Sequence, residues 1–215
     1  MTRKLFWQDP YRTRLETRVR AVRGHEVSLE ETIFYANSGG QESDAGSING
    51  RPVLEARKED FDIWYRLEEP LEAGEVALVE IDWPRRYALM RLHFAAELVL
   101  ELMYRAVPGI EKIGAHIAAD KSRIDFLMEQ PVSPLLLPLT QQAQALVDAD
   151  HPIVSAFSDE ASQRRYWEID GFARVSCGGT HLKRTGEVGG LTLKRKNIGK
   201  GKERVEIHAD PPCHA

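Results

Sequence analysis

The spacing of apolar residues changes at Asp82-Trp83-Pro84, and this change limits the fold more than any other feature of the chain. Ahead of it, short runs alternate apolar with polar. Thr17–Val22 and Glu26–Glu30 flank a Gly24-His25 turn, Ala45–Leu54 folds back at Asn49-Gly50, and Asp62–Leu67 and Val76–Asp82 follow. A period of two punctuated by turn residues is the pattern of antiparallel strands. Thr32–Tyr35 reads as one more β-rich run, ending in a loop. Beyond the break, Ala88, Leu92, Ala95, Ala96, Val99, Leu102 and Met103 recur at helical spacing. Proline suits a first helical turn, so a helix is expected from Pro84 to about Ala106.

The rest mixes both patterns. Ile110–Met128 reads as a helix end, a loop and the strand Ser122–Leu127, and a second helix is expected over about Pro138–Val147. Strands are expected at Ile153–Phe157, Arg165–Ile169, Arg174–Cys177, Leu191–Arg195 and Arg204–His208, with Gly199-Lys200-Gly201 turning the last hairpin. The fold class is therefore α+β. Residues 1–83 would form a small N-terminal β-barrel with a Gly-rich loop, and residues 84–215 a two-layer α+β domain.

Four side chains suit one metal ion. Cys177-Gly-Gly-Thr-His181 sets a thiol and an imidazole four positions apart on a turnable segment. His93 and Glu97 are i, i+4 neighbours on the expected helix. Thiolate, imidazole and carboxylate are the donors Zn²⁺ takes. A buried thiol near an unrelated histidine explains the Cys-x-x-x-His spacing equally simply. His25, His116, His151, His208 and the Cys213-His214 tail carry no such pattern.

Charge excludes a uniformly basic nucleic-acid binder, since the formal net charge is −4. Its distribution is uneven. Seven Lys or Arg lie within Met1–His25, and eight lie within Lys183–Arg204. Two basic poles suit a polyanion, or simply solvated strands. No apolar run spans a bilayer and the N-terminus lacks a signal-peptide core, so no membrane partner is expected. Two cysteines do not make a disulfide framework, which points to the cytoplasm.

The order of motifs resembles a known family. Asp9-Pro10-Tyr11 is followed by the loop Tyr35–Gly46 with Gly39-Gly40-Gln41, then His93-x-x-x-Glu97, Asp120–Phe126, Cys177–His181 and Thr185-Gly-Glu-Val-Gly189. The sequence is similar to the freestanding alanyl-tRNA editing (AlaX) proteins, relatives of the editing domain of alanyl-tRNA synthetase. The resemblance covers nearly the whole chain and implies an editing domain of the threonyl/alanyl-tRNA synthetase second-additional-domain type.

It also implies a trans-editing hydrolase that removes serine or glycine from mischarged tRNA-Ala by ester hydrolysis. One Zn²⁺ per chain would be held by His93, Glu97, Cys177 and His181. Gly178, Gly179 and Thr180 would form the catalytic segment, with backbone N–H groups available to an oxyanion. Gly39, Gly40, Gln41 and Phe94 would line the substrate pocket. The acceptor stem and 3′ end of tRNA-Ala are the expected partner, without ATP. Such editing is needed because a methylene or hydroxyl changes binding by only about 1–3 kcal/mol.

Three positions depart from the family pattern. Glu97 stands where a second histidine is usual, Phe94 where a threonine is usual, and Ser38 where a glycine is usual. Glu97 is either a carboxylate ligand or an unliganded base. Phe94 cannot donate a hydrogen bond to a seryl hydroxyl. These departures leave two alternatives open: an editing-like domain that binds tRNA without turnover, and a deacylase for another aminoacyl-tRNA.

Overall fold

The computed structural model describes residues 1–199 and 201–212. Lys200 of the expected last turn, and the Cys213-His214 tail, lie outside the described residues. The chain divides into two compact units, Met1–Tyr87 and residues 88 onward.

The first unit is built from nine strands: β1 (Arg3–Lys4), β2 (Arg14–Arg23), β3 (Glu26–Leu29), β4 (Glu31–Thr32), β5 (Gly46–Ile48), β6 (Arg51–Pro52), β7 (Glu55–Glu59), β8 (Asp62–Arg66) and β9 (Val76–Ile81). Seven of them form an antiparallel sheet in the order β6-β5-β9-β2-β3-β8-β7, and β1 pairs with β4 in parallel. Alternation sets the buried face. Leu15 and Val19 of β2 point inward with Val27, Ile48, Tyr65 and Val79, while Arg14, Glu16 and Arg18 stay in solvent. Each such apolar side chain contributes about 1.5–3 kcal/mol on burial. A one-residue slip of β2 would drive its charges into that core. The hairpin at Asn49-Gly50 has φ of 50° and 74°, the left-handed pair a two-residue turn needs.

The Thr32–Tyr35 run pairs less than its composition predicts, because only Glu31–Thr32 joins a strand. Ile33, Phe34 and Tyr35 are buried but irregular, and side chains take their backbone groups. The N–H of Tyr35 donates to Asp44 Oδ2 at 2.6 Å, and Arg86 donates to the carbonyl of Ile33 at 2.6 Å.

Helix α1 runs over Trp83–Ala106, opening with Pro84 in its first turn. The second unit adds β10 (Glu111–Ile117), β11 (Ser122–Leu127), α2 (Ser133–Asp148), β12 (Val154–Asp159), β13 (Arg164–Ile169), β14 (Ala173–Ser176), β15 (Gly190–Asn197) and β16 (Lys202–Asp210). One antiparallel sheet runs β10-β11-β16-β15 and another β12-β13-β14. The two helices pack on one face of the first sheet. Ser122 Oγ donates to the carbonyl of Leu92 at 3.0 Å, and Leu191 N–H to Gln144 Oε1 at 2.8 Å.

Two sequence expectations change here. The helix end and loop after Ile110 are strand β10, an edge whose period is masked by a register shift between Lys112 and Gly114. Helix α2 begins five residues before Pro138. Pro134 occupies its first turn, and Pro138 is carried inside it. Among the described residues no helix is long and apolar enough to cross a membrane.

Candidate metal and editing site

Helix α1 presents His93 and Glu97 on one face, with His93 Nε2 lying 3.2 Å from Glu97 Oε1. Cys177 leaves the end of β14, where its N–H donates to the carbonyl of Arg165 at 2.9 Å. The turn that follows carries the chain back on itself, with Gly178 exposed and Gly179, Thr180 and His181 buried. Cys177 Sγ then lies 3.4 Å from His93 Nε2 and 3.2 Å from His181 Nε2. The three donor atoms all fall within 4.8 Å of one another, and Glu97 falls outside that set.

Those separations suit a metal ion. Zinc bonds of about 2.0–2.3 Å in a tetrahedron place neighbouring donors about 3.3–3.6 Å apart. His181 is also oriented from behind, with Ser155 Oγ 2.9 Å from its Nδ1, which turns Nε2 toward the sulfur. Trp167 Nε1–H donates to Glu97 Oε2 at 2.9 Å, so the carboxylate is fixed at one oxygen and faces His93 with the other.

Electrostatics favour positive charge where the donors converge. Burial works against a charged His93. The Cys177 sulfur and the Glu97 carboxylate outweigh it and hold the imidazole well above its usual range. Burial likewise opposes ionised Glu97, yet His93 and the Trp167 indole bring it below the usual carboxylate range. His181 is pushed down by burial and by the charge of His93.

Other expected residues sit as follows. Phe94 is fully buried, with its ring edge-on to Trp167 at 5.2 Å and to His181 at 6.1 Å. Ser38-Gly39-Gly40-Gln41, in the first unit, is a tight turn. Gly39 and Gly40 have φ of 62° and 88°, and the N–H of Gln41 donates to Ser38 O at 3.1 Å. Gln41 is buried. The loop is anchored by Asp44, whose carboxylate takes the Arg86 guanidinium of α1. In the second unit, Thr185–Val188 is a 3₁₀ turn held by Arg91 of α1, which donates to Val188 O at 2.7 Å.

Trp167, Ser155, Arg86 and Arg91 did not announce themselves in the sequence. Trp167 and Ser155 read only as strand residues. Arg86 and Arg91, flanked by apolar residues on the same helix, were the available signal for buried anchors.

Comparison with known proteins agrees with this geometry. Residues 168–206 match the threonyl and alanyl tRNA synthetase second additional domain, a span that contains Cys177 and His181. A protein of Pyrococcus horikoshii named alanyl-tRNA editing protein AlaX-M is 34% identical, over 96% of this chain and 97% of its own. A protein of the same name from Methanosarcina barkeri is 31% identical over 95% of this chain and 98% of its own. An alanine–tRNA ligase of Ignicoccus hospitalis is 30% identical over 97% of this chain, which spans 26% of that longer protein. With near-full coverage in both directions at 34% identity, the chain belongs to the alanyl-tRNA editing protein family.

Proposed function

We propose that this protein is a trans-editing hydrolase that deacylates mischarged tRNA-Ala, Ser-tRNA-Ala or Gly-tRNA-Ala, at a zinc site in its second unit. Family membership supports the aminoacyl-tRNA hydrolase class. The observation that carries the site is the convergence of His93 Nε2, Cys177 Sγ and His181 Nε2. Three protein donors are what a catalytic zinc site uses, leaving a position for substrate or water. A zinc ion there would supply Lewis-acid polarisation or hold the amino acid by its amino group.

The chain's own residues divide the remaining work. His93, Cys177 and His181 hold the ion, with Ser155 fixing the ring of His181. Glu97, the fourth donor expected from the sequence, stands beside the set with Oε1 paired to His93 at 3.2 Å and Oε2 fixed by Trp167. The Gly178–Thr180 backbone follows the sulfur. A side chain at Gly178 would meet no atom within 4 Å, so an ester carbonyl can approach the catalytic segment Gly178–Thr180 at this point. Phe94 packs beside Trp167 and His181 and offers no hydroxyl to a seryl side chain. Gly39, Gly40 and Gln41 would bind substrate, as the family resemblance implies. The acceptor stem and 3′ end of the tRNA would be held without ATP. We also read the seven-stranded sheet as a small barrel, because Ile48 of β5 and Ala56 of β7, near opposite ends of the strand order, share one core.

The test is metal content and deacylation, side by side, for the protein and its Cys177→Ala variant. About one zinc per chain, lost in the variant together with release of serine or glycine from tRNA-Ala, is the expected result. Full metal loading in the variant overturns the site. A fully loaded protein that releases no amino acid above the spontaneous rate overturns the activity.

A further inference from the structure

The sheet β10-β11-β16-β15 has two faces of opposite character. Side chains directly opposite each other on neighbouring antiparallel strands share a face. On the face that receives α1 and α2 lie Ser122, Ile207 and Leu193, then Ile124 and Val205, then Phe126 and Glu203. Arg195 belongs to this side and is spent there, donating to Glu203 at 2.5 and 2.6 Å.

The other face carries Arg123, Glu206 and Lys194 in one row, Asp125, Arg204 and Lys196 in the next, and Leu127 beside Lys202 in a third. Lys121 joins it through Glu206, at 3.0 Å. Glu206 confirms the grouping, because its carboxyl is held down by Lys121 and by the charges of Lys196 and His208.

The two carboxylates are already engaged. Asp125 takes Arg204 at 2.6 and 2.9 Å and also Arg123, while Glu206 takes Lys121. Lys194, Lys196 and Lys202 are exposed and have no salt-bridge partner among the described residues. The face is thus a lattice in which cations outnumber the acids that brace them, on positions about 5 Å apart across the strands and about 7 Å apart along them, with Glu111 a further acid at its far end. It offers no aromatic side chain and no apolar patch beyond Leu127 and the neighbouring edge strand.

We infer that this open face is a docking surface for the phosphate backbone of an RNA stem, the body of the tRNA, and that Lys194, Lys196 and Lys202 make the contacts. The inference rests on tRNA being the substrate. Phosphate contacts of this kind position an RNA without reading its sequence. The face belongs to the same unit as Cys177 but lies on the far side of the sheet from α1. The stem therefore grips the open face while the single-stranded end passes the sheet edge to the site. The face governs KM and leaves the chemical step alone.

The experiment measures binding of unfractionated tRNA across a salt series for the protein and for the triple variant Lys194→Gln, Lys196→Gln, Lys202→Gln. The expected result is a loss of about tenfold or more at moderate salt, and a log–log salt slope shallower by about 2 to 3, the value for three phosphate contacts. Melting temperature and metal content stay unchanged. Equal affinity and slope in the variant overturn the inference. So does an equal loss in a control triple, Arg12→Gln, Arg14→Gln, Lys58→Gln, of the same charge change. Pelleting with phosphatidylserine vesicles in a protein that does not bind tRNA overturns it too, in favour of a membrane surface. A protein that binds tRNA through this face yet deacylates none refutes the proposed activity and leaves the face standing. A protein that deacylates, with the triple variant unaffected in KM, does the reverse.

Discussion

Helix α1 carries two buried polar clusters seven residues apart, and they are built on opposite rules. At Arg86 the guanidinium is fully enclosed, and each of its three nitrogens finds an acceptor. Asp44 accepts from two of them, Pro10 O from the third at 2.8 Å, and Ile33 O also accepts, at 2.6 Å. At His93 two ring nitrogens and a sulfur, all metal-ligating atoms, share one small volume with a carboxylate alongside. A satisfied network of donors and acceptors fixes a loop. Soft and borderline donor atoms that converge within bonding reach of one point make a place for a cation. Burial alone does not separate the two cases, but side-chain chemistry does: a guanidinium has no lone pair for a metal, and imidazole and thiolate have.

The largest expected effect comes from breaking the satisfied cluster. Arg86→Met leaves Asp44 ionised and enclosed, and removing one partner of a buried pair costs about 3–5 kcal/mol. Denaturant titration should show this as a lower midpoint. Adding Asp44→Leu should restore part of the loss, since apolar replacement of a whole buried pair is often close to neutral. Restoration is incomplete because the N–H of Tyr35 then loses its acceptor, for about 1–3 kcal/mol. If the single and double variants were equally stable to the unaltered protein, the Arg86 cluster would not be the structural anchor its geometry describes.

The converging cluster responds to smaller changes. Trp167→Phe frees Glu97 Oε2 while keeping most of the ring that packs on Phe94, and Ser155→Ala releases the ring of His181. Losing such an orienting partner costs roughly 10–100-fold in metal affinity or activity. Competition with a chelator reads the first quantity, and tRNA deacylation the second. Glu97→Gln sharpens the comparison further. The amide oxygen can still accept from Trp167, so metal content should hold while deacylation falls. Loss of metal in this variant would instead make Glu97 a fourth ligand.

Much of this was legible in the sequence. The change of period at Asp82-Trp83-Pro84 marked where strands give way to α1, because proline and an apolar stripe are local signals. The pairing of His93 with a segment more than eighty residues away came from the family resemblance. Spacing by itself permitted an unrelated thiol and histidine. What stayed hidden was carried by long-range pairing. Strand β10 is an edge whose alternation is interrupted by a register shift near Gly114. The roles of Trp167 and Ser155 exist only once β12 and β13 are laid beside α1. The basic C-terminal stretch looked uniform, yet register divides it, turning Arg195 inward to Glu203 and Lys194 and Lys196 outward.

Lys4 is the intermediate case, and it gives the smallest expected effect. It is buried like Arg86 and donates to Phe61 O at 2.8 Å. Burial and the charge of Lys58 lower it from 10.5 to about 8, with Asp62 opposing them. The folded protein therefore holds this proton less tightly than the unfolded chain does. Between about pH 8 and pH 10.5 the unfolded chain binds the extra proton, so this group's contribution to stability rises with pH across that window. Below pH 8 its destabilising charge is fully present, and above pH 10.5 both states are neutral. Lys4→Met removes the titration, and the difference in midpoint between it and the parent should shrink as pH rises from 8 to 10. A difference that stays constant across that range would mean the Lys4 ammonium is as well accommodated as the Arg86 guanidinium.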